Sequence, residues 1–137
     1  MVFVQQLPCR SFVEFFSIAD VQTTPDALQA LTVKKLAAYC SDIDKVLAVD
    51  SDDKGSVYCV WGEFTVERQW INGGVRFTLP GCPNALSWTL TTGFPPSPDK
   101  VVIHCTINRT EHEDDFIESI QTFVESWKKG LEGHFVN

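Results

Sequence analysis

From Thr110 to Glu132 the chain carries a single apolar stripe. Phe116, Ile117, Ile120, Phe123, Val124, Trp127 and Leu131 follow one another at the 3.6-residue period of an α-helix. The spacing predicts one long amphipathic helix, about 33 Å at the standard rise per residue. A helix with only one apolar face must lie on a second layer. Its ends agree with this reading. Thr110 and Glu113 have the spacing of a capping box, and Glu111, Glu113, Asp114, Asp115 and Glu118 crowd the positive end of the helix dipole. Lys128 and Lys129 sit at the negative end.

The preceding sequence predicts a sheet for that helix to cover. FVEFFSIAD from Phe12 is rich in aromatic and β-branched residues and reads as a strand, while Met1 to Pro8 reads as a short extra strand or a loose end. Thr23, Thr24 and Pro25 give a hydroxyl cap followed by proline at the first helical position. The apolar spacing then runs to Tyr39, with Thr32 and Val33 dividing it into a helical pair. Asp44 to Asp50, Val57 to Trp61 and Phe64 to Ile71 read as strands, with a bend at Gly62. Asn72 and Gly73 form a two-residue hairpin signal. With those two as the loop, Trp70 faces Val75, Arg68 faces Phe77 and Val66 faces Leu79, which puts Phe64, Val66, Arg68, Trp70, Val75, Phe77 and Leu79 on one side. Leu86, Trp88 and Leu90, and then Val101, Ile103, Cys105 and Ile107, alternate as half-buried strands should. The expected fold class is α+β: a curved antiparallel sheet of about six to seven strands wrapped around a long C-terminal helix, with a short helical pair after the first strand.

At 137 residues, with 44% hydrophobic and 21% charged side chains, residues 1–137 read as one globular domain. A net charge of −7 leaves nothing basic to neutralise phosphates, which disfavours nucleic acid and anionic membrane surfaces. The short apolar runs predict no membrane insertion and no secretory leader, so a cytoplasmic setting is expected. Cys9, Cys40, Cys59, Cys82 and Cys105 are scattered without metal-ligand spacing and read as reduced, mostly buried thiols. The sequon at Asn108 to Thr110 would then be idle.

Candidate chemistry is sparse. Asp50, Asp52 and Asp53 begin like a calcium loop, but Lys54 occupies the fifth position and Trp61 the twelfth, so a solvated turn is expected. His104, His112 and His134 have no partner visible in the sequence and read as surface or capping residues. No nucleophile elbow and no phosphate loop occur, and no cofactor is expected. Arg68 is the polar residue that stands out, because the hairpin register puts its permanent cation on a mainly apolar wall. There it would hold a ligand carboxylate or phosphate, or else reach the sheet rim and pair with a carboxylate such as Glu14. The four tryptophans read as core or as an aromatic box.

Three stretches, TTPDALQALTVKKLAAY at 23–39, GEFTVERQWINGGVRFTLP at 62–80 and FVESWKKGLEGHF at 123–135, in this order of elements, give the chain a resemblance to the START-like superfamily. That superfamily includes the birch-pollen-allergen type and the activator-of-heat-shock-ATPase branch, the latter being the nearer. The resemblance implies a helix-grip fold with a cavity between the C-terminal helix and the sheet that takes lipids, sterols or other apolar molecules. The expectation is a binding protein more than an enzyme. Its ligand, small and hydrophobic or amphipathic, would lie against Phe64, Trp70, Phe77, Trp88, Ile120, Phe123 and Trp127, with Arg68 as anchor. The alternatives are a filled-core module docking a protein partner, a chaperone or a second copy, and a cyclase- or dehydratase-like enzyme.

Overall fold

The computed structural model describes residues 2–6, 12–108 and 113–135, with residues 2–6 and 12 described through their backbone alone. Strands β1 (Val2–Gln6) and β2 (Phe12–Ala19) come first, followed by α1 (Pro25–Gln29), a 3-10 turn (Val33–Lys35) and α2 (Leu36–Tyr39). Strands β3 (Ile43–Ser51), β4 (Lys54–Cys59), β5 (Gly62–Ile71), β6 (Gly74–Thr78), β7 (Ser87–Thr92) and β8 (Val101–Asn108) form the meander, and α3 (Asp114–His134) closes the chain. All strands pair antiparallel in one sheet of order β1-β2-β8-β7-β6-β5-β4-β3, which curls around α3. This is the helix-grip arrangement that the START-like resemblance implies. The strand count is eight rather than six or seven, because the N-terminal residues form a strand on the outer edge of β2.

Local chemistry sets the boundaries. Thr24 caps α1, its Oγ1 accepting from the Ala27 N–H at 3.2 Å, and Pro25 fills the first turn where no N–H is needed. Between β5 and β6 the pairing closes at Ile71 and Gly74, leaving Asn72 and Gly73 as the loop, with Gly73 at φ +90°. The expected pairs Trp70 with Val75 and Arg68 with Phe77 are those observed. Gly62 is not a bend within a strand. It begins β5 after a two-residue turn, Val60 and Trp61, that closes on the Cys59–Gly62 pair, and its φ of +114° suits that junction. Helix α3 begins at Asp114, with Glu113 as a cap residue that makes no side-chain capping bond. Thr110, Glu111 and His112, and also Cys9, lie outside the described residues, so the expected capping box is not part of the structure described here.

The core lies between α3 and the concave face of the sheet. Helix α3 presents Ile120, Phe123, Val124, Trp127 and Leu131, all buried, and rests chiefly on β2 and β8. The small side chains of Ser17 and Ala19 on β2 are fully buried under it. Removing each of these large helix side chains from water stabilises the fold by about 1.5–3 kcal/mol. Near its C-terminal end α3 comes so close to α2 that a Cβ on Gly130 would run into the Tyr39 carbonyl oxygen.

Candidate functional site

The core beneath α3 gathers rings from two sheet strands, a turn and the helix. Phe77 from β6 stacks on Trp88 from β7 at a centroid distance of 5.4 Å and on Trp127 from α3 at 6.1 Å. Trp88 meets Trp127 at 6.1 Å, and Phe123 nearly edge-on at 5.0 Å and 82°. Trp61, in the turn between β4 and β5, meets Phe123 at 4.9 Å. Alternation along the strands explains the convergence, since positions 77, 88 and 105 all fall on the concave face.

The polar atoms of these rings are treated unequally. Trp61 Nε1 donates to Ser119 Oγ at 2.8 Å, and Ser119 in turn donates to the Phe116 carbonyl at 2.6 Å. Trp88 Nε1 and Trp127 Nε1 are shielded from solvent and have no partner among the described residues. Ser17 Oγ, on β2 beneath the helix, is in the same condition. Buried donors are nearly always satisfied, and each unsatisfied one costs about 1–3 kcal/mol. The two rings lie 6.1 Å apart, centre to centre, and an acceptor oxygen reaching either N–H would be stabilising.

Of the residues nominated from sequence, Phe77, Trp88, Ile120, Phe123 and Trp127 are brought together here, and Phe64 is half-buried at the margin of the core. The other two are separated from them. Trp70 occupies the expected register position but is 67% exposed, so it stands in solvent and not on the inner wall. Arg68 is buried, yet its guanidinium faces α1 and the β3–β4 turn. Nη2 donates to the Gln29 carbonyl at 2.8 Å, Nη1 lies 3.5 Å from the Asp52 carbonyl, and Nε lies 3.5 Å from Asp53 Oδ1. The Nε contact is an ion pair by distance but not a hydrogen bond by geometry. Arg68 and Trp70 together line a surface groove of about 320 Å³ with Asp26, Gln29, Ala30, Thr32 and Asp52. The acidic turn is therefore a hairpin loop, Asp52 and Asp53, that holds an arginine.

His104 has a partner that the sequence did not reveal. On the convex face its Nε2 lies 2.9 Å from Glu14 Oε1, and its ring stacks on Phe16 at 4.4 Å and 4°. Burial lowers its pKa and outweighs the opposite pull of the Glu14 carboxylate. Only the β2–β8 pairing brings these residues together across 90 positions of sequence. His134, near the end of α3, pairs through Nε2 with the Ala38 carbonyl at 2.7 Å and packs on Tyr39, in keeping with a capping role.

No family model matches the chain, and a search of curated proteins returns no match. Solved structures do resemble it. XoxI from Bacillus cereus is similar with a TM-score of 0.62 at 10% identity, over 89% of this chain and 94% of that one. An uncharacterised protein from Bacillus thuringiensis is similar with a TM-score of 0.61 at 8% identity, over 90% and 99%. At such identities the likeness concerns the fold alone. The human StarD13 lipid transfer and protein localization domain aligns at 8% identity over 96% and 84%, with a TM-score of 0.47. No helix among the described residues is long and apolar enough to cross a membrane.

Proposed function

We propose that this protein binds a small apolar or amphipathic molecule between α3 and the concave face of the sheet. The observation that carries the proposal is the pair of buried indole N–H groups, Trp88 and Trp127, that lack a protein acceptor within an otherwise apolar wall. Phe77, Ile120 and Phe123 would bury the ligand's hydrocarbon part, and Phe64 would flank it. The helix-grip architecture supports the same reading, because it closes a helix over a curved sheet and makes a two-sided enclosure. A cyclase- or dehydratase-like reaction is less well supported: it needs an acid–base pair on that wall, where the buried polar groups among the described residues include the two indoles, the Ser17 hydroxyl and the Cys105 thiol, whose pKa burial raises. A cytosolic setting is part of the proposal.

Native mass spectrometry of freshly purified protein, compared with the same sample after denaturation, tests this directly. A small molecule lost on denaturation supports the reading. A mass equal to the bare chain in every preparation, with no mass gained on incubation with long-chain alcohols, ketones or sterols, overturns it.

A second reading has its own observation. Leu47, Val49 and Tyr58 on the β3–β4 hairpin are 42%, 49% and 47% exposed, Val60 in the turn after β4 is 54% exposed, and β3 is a free edge of the sheet. These residues would suit a docking module for a chaperone, another protein or a second copy, the role the activator-of-heat-shock-ATPase branch would suggest. A protein that stays monomeric at all concentrations, with no partner sensitive to Tyr58→Lys, would exclude it.

A further inference from the structure

Resting on the ligand reading above, we infer that the molecule held beneath α3 is electrically neutral and presents an acceptor oxygen, of carbonyl, ether or hydroxyl type, to the indole N–H groups of Trp88 and Trp127. An indole N–H donates and cannot accept, so the ligand must supply the lone pair. This rules against a ligand whose polar end is an ammonium or another donor alone. An anion would find the two donors but no countercharge. The buried cation, Arg68, is turned toward Gln29, Asp52 and Asp53 where α1 and the β3–β4 turn cover β5, and Lys128 of α3 is engaged with Glu132 at 2.9 Å and 3.1 Å. The buried polar and charged residues among those described are Ser17, Arg68, Ser87 and Thr92, and of these Ser17 has the unpartnered hydroxyl under the helix. Desolvating a carboxylate or phosphate against two neutral dipoles is unfavourable, whereas a neutral oxygen satisfies the indoles without that cost. A carboxylic acid would enter only with its proton on.

The test compares two probes of equal chain length, 2-decanone and decanoic acid, by titration of intrinsic tryptophan fluorescence between about pH 8 and pH 6. At the higher pH the ketone is expected to bind at least about tenfold more tightly than the acid. The acid's affinity should rise about tenfold per pH unit on acidification, while the ketone's stays level. Trp88→Phe and Trp127→Phe keep an apolar ring and remove the donor, and each should weaken the ketone about tenfold. Equal binding of acid and ketone at the higher pH, or phenylalanine variants that hold the ketone unchanged, would overturn the inference and leave the ligand reading standing. The comparison of the two probes on the unaltered protein decides the matter if either variant fails to fold. Failure of both probes to bind, in protein that also purifies bare, removes the ligand reading and the inference with it. Indoles each saturated by one buried water that no probe displaces would be seen as that second outcome.

Discussion

Arg68 donates through Nη2 to the carbonyl oxygen of Gln29 at 2.8 Å, tying the end of α1 to the middle of β5. With Asp52 and Asp53 on its other side, the guanidinium joins three segments at a point remote from α3. Arg68→Met keeps most of the stem and should cost about 2–3 kcal/mol in urea unfolding, because two part-buried carbonyls lose a charged donor. Asp53→Asn should cost less than about 1 kcal/mol, since Asp53 is 63% exposed and its ion pair is screened. Equal costs for the two variants would show that the ion pair, and not the carbonyl bonds, is what matters.

The nominated tryptophans divide into structural and solvent-facing ones. Trp127 is fully buried, so Trp127→Ala should destabilise by about 3–5 kcal/mol. Trp70, 67% exposed, should tolerate alanine within about 0.5 kcal/mol. Denaturant titration of the two variants side by side checks the placement, and a large loss from Trp70→Ala would contradict it.

Two glycines of α3 should respond to alanine with opposite signs. A methyl group at Gly133 meets nothing within 4 Å, so alanine there should stabilise by up to about 1 kcal/mol through helix propensity. At Gly130 the methyl group would meet the Tyr39 backbone, and the gain in propensity should be overwhelmed by separation of α2 from α3. Thermal melts of both variants give the comparison, and a rise in Tm for Gly130→Ala would show that the helices are not in this contact.

Stability should depend on pH through His104. Its folded-state pKa is lowered, with burial the leading cause and Glu14 opposing. The unfolded chain therefore takes up the proton first as pH falls. The contribution of the neutral imidazole is fully present above the ordinary histidine value of about 6.5 and is lost as pH drops through the lower folded value. His104→Gln should flatten the stability profile in that window. An unchanged profile in the variant, or a His104 that gains stability on acidification, would contradict the sign.

Thiol reactivity should follow burial. Cys40 is pushed up to about 12 by burial, and burial also raises Cys59 and, further still, Cys105, so thiolate is scarce at these positions. Cys82, half-buried in the turn between β6 and β7, is the accessible one of the four described. Labelling at about pH 8 followed by peptide mapping should find Cys82 modified in the native protein, and Cys40 and Cys105 only after unfolding.

Much of this architecture was legible in short-range pattern. The α3 stripe, the Thr24–Pro25 cap and the Asn72–Gly73 hairpin each follow from residues within a few positions of one another, and each is where it was expected. The Val60–Trp61 turn was missed because Trp61 carries an apolar, strand-like side chain, and the closing signal, Gly62 at positive φ, reads equally as a bulge. The site was legible only as a face. Alternation put Arg68 and Trp70 on the side of Phe77 and Trp88, but a shared face says nothing of what covers it. At that end of β5 the cover is α1 and the β3–β4 turn, not α3. The unequal satisfaction of the indoles and the pairing of Glu14 with His104 are products of tertiary contact with no local signature.

The central claim, that a molecule lies against Trp88 and Trp127, is tested most directly by nuclear magnetic resonance of indole-labelled protein. Spectra are recorded as purified, after extraction with organic solvent and refolding, and after adding a neutral acceptor such as 2-decanone. The account predicts that the indole N–H resonances of Trp88 and Trp127 move between the extracted and loaded forms while those of Trp61 and Trp70 stay in place. Four indole resonances that are identical in all three samples would contradict it.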